Sequence, residues 1–180
     1  MIKFVRNVVL FILTAIFLAL MLLVSYCMPH YSAAVISGVE VKRMNENENT
    51  PNNKEVKTLA RDVYFVQTYD PKDKKSVTVY RNEDTRFGFP FYFKFNSADI
   101  SALAQSLVNQ QVEVQYYGWR INLFNMFPNV IFLKPLKESA DISKPIFSWI
   151  LYALLLGGFF ISARSVCALF KGKAHKGKAH

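Results

Sequence analysis

The chain has 180 residues, room for one domain plus accessory segments, and carries a net charge of +9. Its hydrophobic content of 52% and mean hydropathy of +0.13 are high for a soluble domain, and the apolar residues gather near the two ends. The charge belongs mostly to the two tails, which excludes reading it as a nucleic-acid-binding surface.

The first element is VVLFILTAIFLALMLLVSY, residues 8–26, which contains no charge. At ~1.5 Å per residue it can cross a ~30 Å hydrocarbon layer as a helix. A cleaved signal peptide is the alternative, with Ser32, Ala33 and Ala34 as the small residues a peptidase needs. The apolar run exceeds the ~7–15 residues of a signal core, and the small residues lie well past its end. Bulky Tyr26 before Cys27 argues against a lipoprotein. An uncleaved anchor is the expectation.

Residues 33–44, AAVISGVEVKRM, are β-branched and alternate late in the run, as a first strand does. NENENTPNNKEVK, residues 45–57, is polar and low in complexity and reads as a mobile loop. A second strand is expected over residues 61–70, a turn at PKDKKS, and a third strand over residues 77–82. Val77 and Val79 face one side of that strand, Thr78 and Tyr80 the other. A helix follows over residues 96–110, capped by Asn96 or Ser97, with Asp99 favourably placed in its first turn. Ile100, Leu103, Ala104 and Leu107 form its apolar stripe. The fourth strand, residues 111–118, puts Val112, Val114 and Tyr116 on one face, and a fifth covers residues 129–135.

The second apolar segment is IFSWILYALLLGGFFISA, residues 146–163, again without charge and long enough to span. All Asp and Glu residues lie between Glu40 and Asp141, whereas Lys3, Arg6, Arg164, Lys171, Lys173, Lys176 and Lys178 flank the apolar segments. Flanking cations stay in the cytoplasm, so both termini are expected there and the middle outside. The division is a cytoplasmic start at 1–7, spans at 8–28 and 145–165, an extracytoplasmic domain at 29–144, and a basic cytoplasmic tail at 166–180. Tyr26, Tyr31, Trp149 and Tyr152 suit the headgroup level on the outer side. Cys27 and Cys167 then lie at opposite faces and cannot be bridged. The tail repeat KGKAHKGKAH reads as a solvated basic segment attracted to anionic lipid, with no metal site from His175 and His180. Small residues four apart, among them Gly158 and Ser162, permit close helix contact.

The order of three strands, one helix and two strands is that of a small Greek-key barrel of the OB type. The expected fold is therefore α+β: two transmembrane helices flanking a five-stranded OB-like barrel with one helix. An open antiparallel sheet packed on one helix is the alternative.

The segment RFGFPFYFKF holds Phe87, Phe89, Phe91, Phe93 and Phe95 at every second position. Gly88 and Pro90 argue against a central strand and favour an edge strand or an irregular connector. The rings are expected to cover the open end of the barrel; an exposed patch that meets the membrane surface or a partner is the alternative. Ahead of them, Arg81, Asn82, Glu83, Asp84 and Thr85 form a dense polar cluster. These five are the candidates for a charged, hydrogen-bonded rim, and Trp119 with Arg120, in a second aromatic loop, for a stacking and anion-contacting anchor. Glu83 and Asp84 could also act as a hydrolase's acid and base, but neighbours on an extended segment point apart, and a polar turn paired with Arg81 and Arg86 is the plainer account. No Ser/His/Asp arrangement, thiolate metal site or phosphate-binding glycine loop stands in the outer segment, so no enzyme, cofactor or metal is expected.

YRNEDTRFGFPFYFKFNSA, YYGWR and FPN resemble, from end to end of the chain, the signatures of an uncharacterised bacterial membrane-protein family, the domain of unknown function numbered fifteen twenty-three. Members often carry Trp where this chain has Phe87 and Phe89, and a second Pro in place of Phe91. The resemblance implies a membrane protein and no reaction. The expected function is that of a two-pass protein of the bacterial inner membrane whose periplasmic domain is an interaction module, with the lipid bilayer and an envelope protein or a second copy as partners. Binding of a glycan or other envelope ligand on the barrel face is the alternative.

Overall fold

The computed structural model describes residues 2–46, 59–136 and 142–176. It divides into a unit of Pro29–Lys144 and a unit of Met1–Met28 with Pro145–His180. The polar stretch at 45–57 lies, from residue 47 onward, outside the described residues, as does the end of the tail repeat from residue 177.

The first unit is a closed five-stranded barrel, built from β1 (His30–Glu46), β2 (Leu59–Tyr69), β3 (Val77–Asn82), β4 (Gln111–Tyr117) and β5 (Asn129–Pro135), in the order β1-β2-β3-β5-β4. A helix, α2 (Ser97–Ser106), joins β3 to β4. This is the OB-like Greek key, and the open sheet is excluded by closure. Closure depends on β1 serving two partners. Its first half pairs with β4, from His30 opposite Tyr116 to Val35 opposite Gln111. Its second half pairs with β2, and the register shifts between Ile36 and Gly38. A bulge there bends the strand so that one continuous segment can belong to both sides of the barrel. The ring is completed by a short parallel contact, Arg81 opposite Asn129.

The interior follows the alternation of the strands. Ala34, Ile36, Val66, Tyr80, Val112, Val114, Val130 and Leu133 meet Ile100 and Ala104 of α2, and Leu107 at its C-cap, in one cluster. On β3 the inward face is the one with Tyr80 and Asn82, while Val77 is exposed. The helical stripe differs from expectation at one position: Leu103 is 36% exposed, and Ser101 is buried in its stead. The helix is also shorter than the apolar pattern, because Asn109 turns to φ 64° and donates its N–H to Ile36 O at 2.8 Å, tying the end of α2 to the bend of β1.

The outer face of β4 is covered as well. Glu113 is buried, and its carboxylate accepts from Ser143 N at 2.6 Å and Ser143 Oγ at 2.9 Å. Ser143, beyond β5 in the sequence, is therefore held against the outer face of β4.

The second unit pairs α1 (Ile2–Cys27) with α3 (Ile146–Lys176). Phe17 packs edge-on against Phe159 at 5.5 Å, over Gly158, where an added Cβ would lie 3.6 Å from the Phe17 ring. Both helices are long and apolar enough to cross a membrane. Their apolar side chains are largely uncovered by protein, Phe4, Phe11, Leu18, Leu154, Phe160 and Ile161 among them. That is unlike the core helix of a soluble domain, whose apolar stripe is covered by its neighbours.

Candidate functional site

The polar cluster after Tyr80 forms one connected network. Asn82 is fully buried, its Nδ2 donating to Ser97 O at 2.7 Å and to Ser101 Oγ at 2.8 Å. Its Oδ1 accepts from Lys94 Nζ, so the amide has a donor side facing acceptors and an acceptor side facing an ammonium. Lys94 is only 5% exposed. Burial lowers its pKa to about 8, against the opposing pull of the Asp84 and Glu83 carboxylates.

The neighbours of Asn82 fasten adjacent pieces of chain. Arg81 grips Glu83 through two contacts of 2.6 Å, and its backbone N–H reaches Pro128 O at 2.8 Å. Asn129 accepts from Glu83 N at 3.0 Å, donates to Glu83 O at 3.1 Å and donates to Tyr117 OH at 2.9 Å. Asp84 Oδ1 accepts the N–H of Ser97 at 2.9 Å. The N-cap residue Asn96 makes no side-chain cap bond, so α2 is capped by a carboxylate from another segment. This corrects the expected local cap; Asn96, at φ −122° and ψ 29°, lies outside the extended region an N-cap residue normally takes. Thr85 Oγ1 accepts from Lys94 N at 3.2 Å, and Arg86 N donates to Lys94 O at 3.1 Å.

Thr85, Arg86 and Lys94 thus close a loop that holds Phe87, Phe89, Phe91 and Phe93, with Phe95 directly after it. Gly88 N donates to Thr85 O at 2.7 Å, and Phe91 N to Gly88 O at 2.8 Å. A Cβ at Gly88 would stand 2.9 Å from Thr85 O, which is why a glycine sits there. Arg86, Phe91 and Phe93 take φ of 48°, 58° and 49°, left-handed values that cost bulky residues energy, and the Phe89-Pro90 bond is cis. Tyr92 turns the other way and stacks on Tyr117 at 4.8 Å.

The rings of Phe87, Phe89, Phe91, Phe93 and Phe95 are 56–76% exposed. The expectation that they cover the barrel's open end is overturned. They touch one another instead: Phe87 meets Phe93 at 6.0 Å and Phe95 at 5.6 Å, and Phe89 meets Phe91 at 5.9 Å. The irregular connector is correct and the edge strand is not.

Of the residues expected in a site, Arg81, Asn82, Glu83, Asp84 and Thr85 are brought together, but Asn82 faces the interior and is no part of a rim. Arg120 stands in the β4–β5 loop, stacked 3.9 Å over Phe127 and donating to Met126 O at 2.8 Å. Trp119, beside it, is half-buried. Lys94, Ser101, Tyr117 and Asn129 were not anticipated. A single lysine inside an alternating run of phenylalanines was the one local sign that its ammonium is held by protein.

The molecule is thus a five-stranded OB-like barrel joined to two helices long enough to cross a membrane, with a fastened loop of exposed phenylalanines. The chain belongs to the family described as "Protein of unknown function (DUF1523)", whose profile matches residues 5–170. It is similar to an uncharacterized protein of Haemophilus influenzae (strain ATCC 51907 / DSM 11121 / KW20 / Rd), 42% identical over 149 residues, 82% of this chain and 84% of the relative. No solved structure matches.

Proposed function

We propose that the protein is anchored in the bacterial inner membrane by α1 and α3, with the barrel on the periplasmic side, and that the barrel is an interaction module whose contact surface is the Phe87–Phe95 loop. One observation carries this reading. A buried polar network and three left-handed backbone positions hold a loop whose product is five exposed aromatic rings. Strain of that kind is kept where surrounding structure over-determines it and display is useful. A contiguous apolar patch of this size is the usual mark of a binding surface.

The partner is a protein with apolar surface of its own, another envelope protein or a second copy of the chain. The reading is not that of an enzyme. Both Glu83 oxygens are engaged by Arg81, and Asp84 caps α2, so these carboxylates serve the fold. Cations at both ends and acidic residues only in the middle support the orientation.

Photo-crosslinking in intact cells tests the contact surface. Probes at Phe89 and Phe93 should give the same discrete adduct, absent with a probe at exposed Asp99 on α2. Equal, featureless labelling from all three positions would remove the proposal. A reporter fused after Lys178 that is active only beyond the cytoplasm would reverse the orientation.

A further inference from the structure

We propose that the tip of the β4–β5 hairpin, Leu123 and Phe124, lies in the lipid interface of the bilayer; this rests on the reading of α1 and α3 as membrane spans. Leu123 is 85% exposed and Phe124 68%, and they stand side by side in a short 3-10 turn, Asn122–Phe124. The tip is well defined. Ile121 and Met126 exchange backbone hydrogen bonds of 3.2 and 3.0 Å, and Asn125, at φ 50°, donates to Asn122 O at 3.2 Å. Arg120 secures the base through Met126 O and the Phe127 ring, and Phe127 packs edge-on against Phe65 at 5.2 Å. The hairpin therefore holds its shape with two apolar side chains presented to water, an arrangement that calls for an apolar surrounding.

Strand direction says which surrounding. His30, the first residue of β1, pairs antiparallel with Tyr116 near the end of β4. The hairpin thus continues β4 past the rim of the barrel at which β1 begins. Pro29 alone separates His30 from Met28, the close of the segment carrying α1, a reach of about 3.8 Å per residue. The hairpin projects from the rim at which β1 begins, and β1 begins one residue after the segment that carries α1. Exposed Arg120 behind the tip supplies a cation where anionic headgroups would lie. A lipid surface accepts an apolar tip with a cation behind it and demands no complementary pocket.

The test uses the full-length chain with Cys27→Ser and Cys167→Ser, reconstituted in vesicles of phosphatidylcholine and phosphatidylglycerol containing shallow or, in a parallel set, deep spin-labelled lipid, the deep label reading Leu18 and the shallow label Leu123. Single cysteines replacing Leu18, Leu123 or Asp99 carry an environment-sensitive fluorophore. Labels at Leu18 and Leu123 should be quenched and blue-shifted relative to Asp99. If Leu18 is quenched and Leu123 behaves as Asp99 does, the hairpin proposal is overturned while the spans stand. If Leu18 is not quenched, the span reading falls and the hairpin proposal falls with it.

Discussion

The Lys94 ammonium sits inside the protein against Asn82, and its burial has a measurable sign. With a folded pKa of about 8 against an ordinary 10.5, the unfolded chain holds a proton that the folded chain releases between those values. Stability then rises with pH across that window, and the full cost of the buried charge is felt below pH 8. At 1.36 kcal/mol per pKa unit the gain is on the order of 3 kcal/mol. Lys94→Met should flatten the rise, so the difference between wild type and variant in denaturant midpoint should change from pH 7.5 to pH 10. A constant difference would mean that Lys94 is neutral or solvated throughout. Burial also holds Tyr80 well above the usual tyrosine range, a contribution common to both proteins that cancels in the comparison. The network around Lys94 was only partly legible in the residues. The cluster from Arg81 to Thr85 announced itself by density, but its partners Ser97, Ser101 and Asn129 are brought to it by folding.

Among the elements, the barrel strands followed from alternation of β-branched residues, and their number and order from the position of a single helix. The phenylalanine run is where that logic failed. Period two is a strand signal only while the backbone stays extended. Here Arg86, Phe91 and Phe93 are left-handed, and Thr85 and Lys94 pinch the ends together, so the rings face solvent around a loop. Replacing Phe89 and Phe93 by Ser should leave thermal stability of the detergent-solubilised chain within about 0.5 kcal/mol, the usual range for surface changes. A large loss would place those rings in the core after all. The cap of α2 behaves differently. Asp84→Ala removes the acceptor for Ser97 N and should cost about 1 kcal/mol in denaturant unfolding. Asn96→Ala should cost much less, because Asn96 makes no side-chain cap bond.

Across the whole molecule, the charge pattern and the two uncovered apolar helices fit a membrane-anchored barrel. The contact of Ser143 with β4 could not be read in advance, since nothing in the residues before Pro145 announces that Ser143 meets Glu113. Glu113→Ala should release Ser143 and increase protease cleavage at Lys144 at unchanged barrel melting temperature. Mass spectrometry of the fragments checks it, and unchanged cleavage would mean that Ser143 is held by other contacts.

Both ends of the barrel unit are fastened to one strand: His30 pairs with Tyr116, and Ser143 is gripped by Glu113, and both of these partners lie on β4. A pull between the two connections is therefore borne by β4. The phenylalanine loop adjoins the end of that strand, because Tyr92 stacks on Tyr117 at 4.8 Å, so the display of its rings is coupled to the strand that carries the load.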